Sequence, residues 1–222
     1  MEFEQILYHI DHTALAACST WREVSQLCDE AKKYHMASVC IPPSFVADAV
    51  KVYGSGLRVC TVIGFPLGYN TTQVKLFEAK EALEAGADEI DMVVNLGWVK
   101  SGNFQAVTDE IRLLKEAAGE KILKVIIETC YLTEDEKIAL CQCVTDAGAD
   151  FIKTSTGFGS GGAKLEDIAL FKNHIGSNVK MKASGGIRSA EDFNKFIEAG
   201  CERIGTSSAM KVLYSRGVSK YS

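Results

Sequence analysis

Short apolar runs alternate along the chain with stretches in which apolar residues recur every three or four positions. Eight runs have the length and composition of buried strands: Tyr8 to Thr13, Ser38 to Pro42, Arg58 to Pro66, Glu89 to Leu96, Leu123 to Thr129, Phe151 to Gly157, Val179 to Gly185 and Arg203 to Ser207. The segments between them carry helical spacing. Thr20-Trp21-Arg22-Glu23 reads as a capping box, in which a threonine and the glutamate three residues later satisfy the first free N–H groups of a helix. Val24, Leu27, Cys28 and Ala31 then share one face, and Leu76, Ala79 and Leu83 mark a second apolar stripe.

A repeat fixes the order of these elements. Glu84-Ala85-Gly86-Ala87-Asp88-Glu89-Ile90 returns as Asp146-Ala147-Gly148-Ala149-Asp150-Phe151-Ile152 and again as Glu198-Ala199-Gly200-Cys201-Glu202-Arg203-Ile204. Each glycine suits the left-handed end of a helix, and each isoleucine opens a strand. Helix and strand therefore alternate, which predicts parallel strands covered by helices. Eight such units in a chain of 222 residues predict a single (β/α)8 TIM barrel spanning 1–222, preceded by a short N-terminal segment. The rival is an open doubly wound sheet. No G-x-G-x-x-G follows the first strand, which disfavours it.

Composition narrows the function. With 47% hydrophobic residues the chain can bury a sizeable core, and a formal charge of -5 offers no broad footprint for nucleic acid. No apolar run approaches the roughly 18 residues of a membrane-spanning helix. The opening Met1-Glu2-Phe3-Glu4 lacks the basic and apolar regions of a secretion signal, so a cytoplasmic location is expected. Eight scattered cysteines without a C-x-x-C pair read as reduced, mostly buried thiols. The four histidines show no ligand spacing, and Cys141-Gln142-Cys143 lacks partners to complete four ligands, so no metal is expected.

Two lysines are out of place. Lys153 interrupts the run Phe151-Ile152-Lys153-Thr154-Ser155-Thr156-Gly157, and Lys182 interrupts Val179-Lys180-Met181-Lys182-Ala183-Ser184. An ammonium group in a strand interior is costly unless it is paired or neutral. If the repeat isoleucines face the helices, period-two alternation turns Asp91, Lys153 and Gly205 inward, and Lys182 by the same rule. Asp91, Lys153 and Lys182 then converge in one apolar interior. Two cations sharing one carboxylate should leave one amine neutral, and a neutral buried amine is a carbonyl nucleophile. A buried ion-pair network that only fixes the fold is the competing reading.

With Glu89-Ile90-Asp91-Met92-Val93-Val94-Asn95 and Lys182-Ala183-Ser184-Gly185-Gly186-Ile187-Arg188, the lysine run closely resembles the class I, Schiff-base deoxyribose-phosphate aldolases. The resemblance runs from Ile10-Asp11-His12-Thr13 to Gly205-Thr206-Ser207-Ser208. It implies reversible cleavage of 2-deoxy-D-ribose 5-phosphate to D-glyceraldehyde 3-phosphate and acetaldehyde, without a cofactor. Lys153 would form the imine, Lys182 would keep it deprotonated, and Asp91 would act on the C3 hydroxyl through a water. Asp11, Thr13 and Thr156 would belong to the substrate environment, Asp11 and Thr13 at the mouth. The resemblance also suggests a homodimer. Gly185-Gly186 and Gly205-Thr206-Ser207-Ser208 close the last two strands, where barrels of this kind hold phosphate on backbone N–H groups. Gly157 would add an amide, Arg188 charge from the rim, and Tyr221 a proton-transfer group from the tail. Cys40 reads as a core thiol. A sugar-phosphate isomerase or synthase using lysine as a general acid, and a non-catalytic sugar-phosphate binder, are the alternative functions.

Overall fold

The structure, a computed structural model, describes residues 3–215. Eight parallel strands close in sequence order: β1 (Ile10–Thr13), β2 (Ser38–Ile41), β3 (Val59–Ile63), β4 (Glu89–Val93), β5 (Ile122–Ile126), β6 (Phe151–Lys153), β7 (Lys180–Ser184) and β8 (Arg203–Thr206), with β8 pairing back onto β1. The helices are α1 (Phe3–Leu7), α2 (Trp21–Lys33), α3 (Val46–Tyr53), α4 (Thr72–Glu84), α5 (Leu96–Lys100), α6 (Phe104–Ala118), α7 (Glu134–Asp146), α8 (Leu165–His174), α9 (Ala190–Glu198) and α10 (Ala209–Ser215). This is the expected TIM barrel, and the open sheet is excluded by the β1–β8 pairing. None of the described helices is long and apolar enough to cross a membrane.

Local chemistry sets the element ends. The Thr20–Glu23 capping box forms, and Val24, Leu27, Cys28 and Ala31 are the buried face of α2. Gly86, Gly148 and Gly200, the repeat glycines, take φ of 98°, 73° and 112° after their helices, where a side chain would be strained. The stripe on α4 packs on the core through Leu76, Ala79 and Leu83, although the most buried positions of the helix are shifted from it. Those positions are Lys75, Ala79 and Ala82. Lys75 is admitted because its Nζ reaches Glu110 Oε2 on α6 at 2.7 Å and the Val93 carbonyl at 2.8 Å, which satisfies the charge.

Ile90, Ile152 and Ile204 join the apolar layer between strands and helices. Their successors therefore face the barrel axis. The strands are shorter than the apolar runs, mostly at their C-terminal ends: the run to Gly157 yields a strand ending at Lys153, and the run to Leu96 one ending at Val93. β1 starts at Ile10 and not at Tyr8, whose side chain is exposed.

Candidate active site

Inward-facing side chains of β1, β4, β5, β6, β7 and β8 meet on the axis as one ionic lattice. Asp91 stands at its centre. Its Oδ2 accepts from Lys153 Nζ at 2.7 Å and from Lys182 Nζ at 2.8 Å, while its Oδ1 accepts from Lys124 Nζ at 2.8 Å. Lys182 also lies 2.5 Å from Asp11 Oδ2, and Lys124 lies 2.6 Å from Glu89 Oε2. Arg203 closes the lower end, with Nη1 at 2.5 Å from Asp11 Oδ1 and Nη2 at 2.8 Å from Glu89 Oε1. Four cationic side chains thus face three carboxylates. The interior is not the apolar setting with a single carboxylate that the lysines alone suggested: Glu89, Lys124 and Arg203 complete it. The same alternation that turned Lys153 inward was available for all three.

The lattice fixes ionisation. Burial opposes the charge on Asp91, but Lys124, Lys153 and Lys182 outweigh it and hold the carboxyl well below the usual carboxylate range. Asp11 is likewise held low, with Lys182, Lys124 and Arg203 overcoming burial. Lys182 shifts the other way: burial disfavours its ammonium, yet Asp11 and Asp91 raise it above the ordinary lysine value. Lys182 is therefore a standing cation, 0% exposed, beneath Lys153.

Above the lattice opens a cavity of about 600 Å³. Lys153 is the member of the lattice that lines it, together with Thr13, Thr156, Gly157, Gly185, Gly186, Gly205, Ser207 and Ser208; Arg188 stands on its exposed rim. Asp11, expected at the mouth, lies one inward position below Thr13, fully buried among Lys182, Arg203 and Ser38. Its carboxylate is needed there to balance the cations. Gly157 and Gly186 have φ of 87° and 78°, and a Cβ on either would meet no protein atom within 4 Å, so their backbone faces open cavity. Gly205 is glycine for another reason: a Cβ would come within 2.9 Å of Ser184 Cβ and 3.2 Å of Lys182 Cε. The Ser208 N–H already donates to Thr206 Oγ1 at 3.0 Å. Tyr221 lies outside the described residues.

Residues 5–219 match the family model described as "DeoC/LacD family aldolase". The chain belongs to that family. It is 57% identical over 213 residues to a Clostridium botulinum deoxyribose-phosphate aldolase, covering 96% of each chain. It is 56% identical to the Clostridioides difficile deoxyribose-phosphate aldolase, covering 98% of this chain and all of the relative. Among solved structures, the tetrameric deoxyribose phosphate aldolase of Aeropyrum pernix superposes with a TM-score of 0.89 at 35% identity, covering 96% of this chain and 92% of that one.

For an aldolase of this family, one further residue stands out that the sequence reading missed. Glu128 follows β5 in the left-handed region, φ 54° and ψ 66°, a costly conformation for a residue with a side chain. Its carboxylate accepts from the Thr156 N–H at 3.1 Å and from the Thr156 hydroxyl, and the Phe158 N–H donates in turn to Thr156 Oγ1 at 3.0 Å. Burial raises the Glu128 carboxyl, with Thr156 and Lys153 pulling against it. Glu128 thereby sets the turn from Thr156 to Phe158 that walls the cavity beside Lys153. No local pattern in the chain announces it, because the signal is the backbone conformation.

Proposed function

We propose that the protein cleaves 2-deoxy-D-ribose 5-phosphate reversibly to D-glyceraldehyde 3-phosphate and acetaldehyde, through an imine on Lys153. One observation carries the reading: Lys153 belongs to the charged lattice and is also the lattice lysine at the cavity wall. The amine attacks the aldehyde carbon of the opened sugar and water leaves, giving a protonated imine. That imine is an electron sink. The C2–C3 bond breaks into it as the C3 hydroxyl loses its proton, glyceraldehyde 3-phosphate departs, and an enamine remains to be protonated and hydrolysed.

Lys182 supplies a fixed positive charge next to Lys153 through the shared Asp91 Oδ2. Asp91 first positions the two lysines, since Lys124, Lys153 and Lys182 occupy its oxygens. When Lys153 turns to substrate, Oδ2 loses a partner, and a water-relayed proton transfer to it opens. Such acid–base assistance is typically worth about 10²–10⁴-fold. The phosphate is assigned to the backbone of Gly157, Gly185 and Gly186 with Ser207, where glycine permits close approach of an anion, and Ser208, its N–H held by Thr206 Oγ1, is left its hydroxyl. Gly205, by its contact with Lys182, serves the lattice as much as the phosphate. We extend the proposal to self-association as a homodimer: Leu67, Tyr69, Val74 and Phe77 are exposed apolar side chains around the start of α4, and the Aeropyrum relative is an oligomer. Sedimentation analysis tests that part.

The decisive experiment is borohydride reduction in the presence of acetaldehyde, followed by peptide mapping. A reduced adduct on Lys153 is expected, and Lys153→Ala should lose both adduct and cleavage. A label on Lys182 would exchange the two roles. Cleavage without any adduct would favour lysine acting only as a general acid, and neither adduct nor cleavage would favour a sugar-phosphate binder.

A further inference from the structure

Two thiols meet inside the barrel beside the lattice. The β2–β3 register sets Cys40 directly opposite Cys60, and both are fully buried in a small cluster with Val62. Their sulfurs and the Asp91 carboxylate lie within 4.8 Å of one another. Paired strands run about 4.8 Å apart, and disulfides span Cα separations of roughly 4.4–6.8 Å. The backbone spacing therefore already suits a crosslink. A metal ion is the poorer occupant of these three donors. Lys124 Nζ stands 3.3 Å from Cys60 Sγ and 2.8 Å from Asp91 Oδ1, an ammonium where a bound cation would have to sit.

We propose that Cys40 and Cys60 form an oxidation site that closes to an intramolecular disulfide under peroxide-class oxidants and thereby disables the lattice. The coupling runs through Cys60, whose Sγ lies 3.2 Å from Asp91 Oδ1. The thiolate of Cys40 attacks one peroxide oxygen, giving a sulfenic acid and a first water. The sulfur of Cys60 displaces the second water and the S–S bond forms. Two thiols lose two protons and two electrons, and one hydrogen peroxide becomes two waters. The division of labour follows from the surroundings. The hydrogen bond from Cys60 holds the Cys40 thiol below the usual range, against burial and with help from Lys182 and Lys153. Burial and the same bond push Cys60 up. By contrast, burial drives Cys28, Cys141 and Cys201 to about 12, away from thiolate chemistry. Cys40 is itself fully buried, but it pairs in register with Thr13, which lines the cavity, and an oxidant would reach it by displacing that wall. Loss of the Cys60 contact and the pull of the crosslink would shift Asp91 and the lysines it holds.

The test uses the intact chain treated with hydrogen peroxide, then alkylated and digested without reductant. A linked peptide pair containing Cys40 and Cys60, lighter by two hydrogens, is expected. Cleavage of 2-deoxyribose 5-phosphate should fall on the order of 10²-fold, the size of effect that a small misplacement of catalytic groups produces, and dithiothreitol should restore it. Cys60→Ala and Cys60→Ser, each compared with its own untreated activity, should lose none of it to the oxidant by this route. Recovery of both peptides as alkylated free thiols overturns the crosslink, and the peptide masses decide that whether or not the aldolase reading holds. The switch rests on that reading. A crosslink that leaves cleavage unchanged, or variants as sensitive as the parent, overturns it.

Discussion

Below Lys153, charged side chains at the barrel axis hold one another: Asp91 with three lysines, Asp11 with Lys182 and Arg203, Glu89 with Lys124 and Arg203. Above it, the wall at Gly157, Gly185 and Gly186 is backbone at positive φ. The lower region buries its charges against one another, so removing one leaves the rest to bear the cost of burial. The upper region holds space walled by glycine backbone, so its vulnerability lies in what is added to it. Deletion should damage the first, and addition the second.

Lys124 offers the largest test of that contrast, because it touches Asp91 and Glu89 and takes no part in the proposed chemistry. Lys124→Met keeps the volume and deletes the charge. It should destabilise the fold by about 3–5 kcal/mol, the usual cost of breaking a buried ion pair from one side, read as a lowered midpoint in urea unfolding. A loss under about 1 kcal/mol would mean that the lattice is loosely coupled or wet, and the contrast would fail.

At the mouth the matching experiment adds atoms. No protein atom lies within 4 Å of a Cβ placed on Gly186, so a valine there meets little of the resting protein and instead fills the approach of an anion, besides straining φ at 78°. Gly186→Val should lower kcat/KM for 2-deoxyribose 5-phosphate on the order of 10²-fold and leave unphosphorylated 2-deoxyribose much less affected. Gly186→Ala separates strain from obstruction, since it adds the same φ penalty with less bulk. Equal losses on both substrates would assign the valine's effect to the barrel itself.

How much of this contrast was legible in the sequence follows the same division. The barrel and the inward set of Asp91, Lys153 and Lys182 came from period-two alternation anchored on three repeated isoleucines, which is a strong local signal. Lys124 between Leu123 and Val125 carries the same signal as Lys153 but lies outside the repeat, whereas Glu89 and Arg203 lie inside it, two residues before inward positions, where the repeat by itself marks only the start of a strand. Strand ends were illegible for a physical reason. Val94, Ile127, Thr154 and Ser155 are 0% exposed although they lie past their strands, and the first three still donate a backbone N–H to the neighbouring strand, so the apolar pattern runs on where the regular ladder has ended. The conformation of Glu128 and the N–H engagement of Ser208 are consequences of folded backbone that no residue identity encodes.

Lys182 sharpens the comparison from inside. Its folded value is raised, so it remains an ammonium throughout the neutral range and below, and removing it deletes a cation at every pH where the enzyme would be assayed. Lys182→Leu leaves Lys153 as the single lysine on Asp91 Oδ2 and deletes the fixed cation beside the nucleophile. The rate of imine formation, read by borohydride trapping with acetaldehyde, should fall about tenfold, or roughly 1.4 kcal/mol, while Lys182→Arg, which keeps the charge, should lose less. Equal losses in the two variants would refute the electrostatic part of the proposal.

The smallest expected effect belongs to Ser207, an exposed residue at the cavity rim just past β8. Ser207→Ala removes one hydroxyl and keeps the backbone N–H to which phosphate recognition is assigned. A single hydrogen bond exchanged against water is worth about 0.5–1.5 kcal/mol, so KM for 2-deoxyribose 5-phosphate should rise by no more than about tenfold, with kcat nearly constant and the unphosphorylated sugar indifferent. Read beside Gly186→Val, this variant asks whether the mouth binds by side chain or by backbone. A loss as large as that of the valine would place the serine hydroxyl, and not the glycine backbone, at the centre of phosphate recognition. The upper region would then be built on the same side-chain plan as the lattice below it.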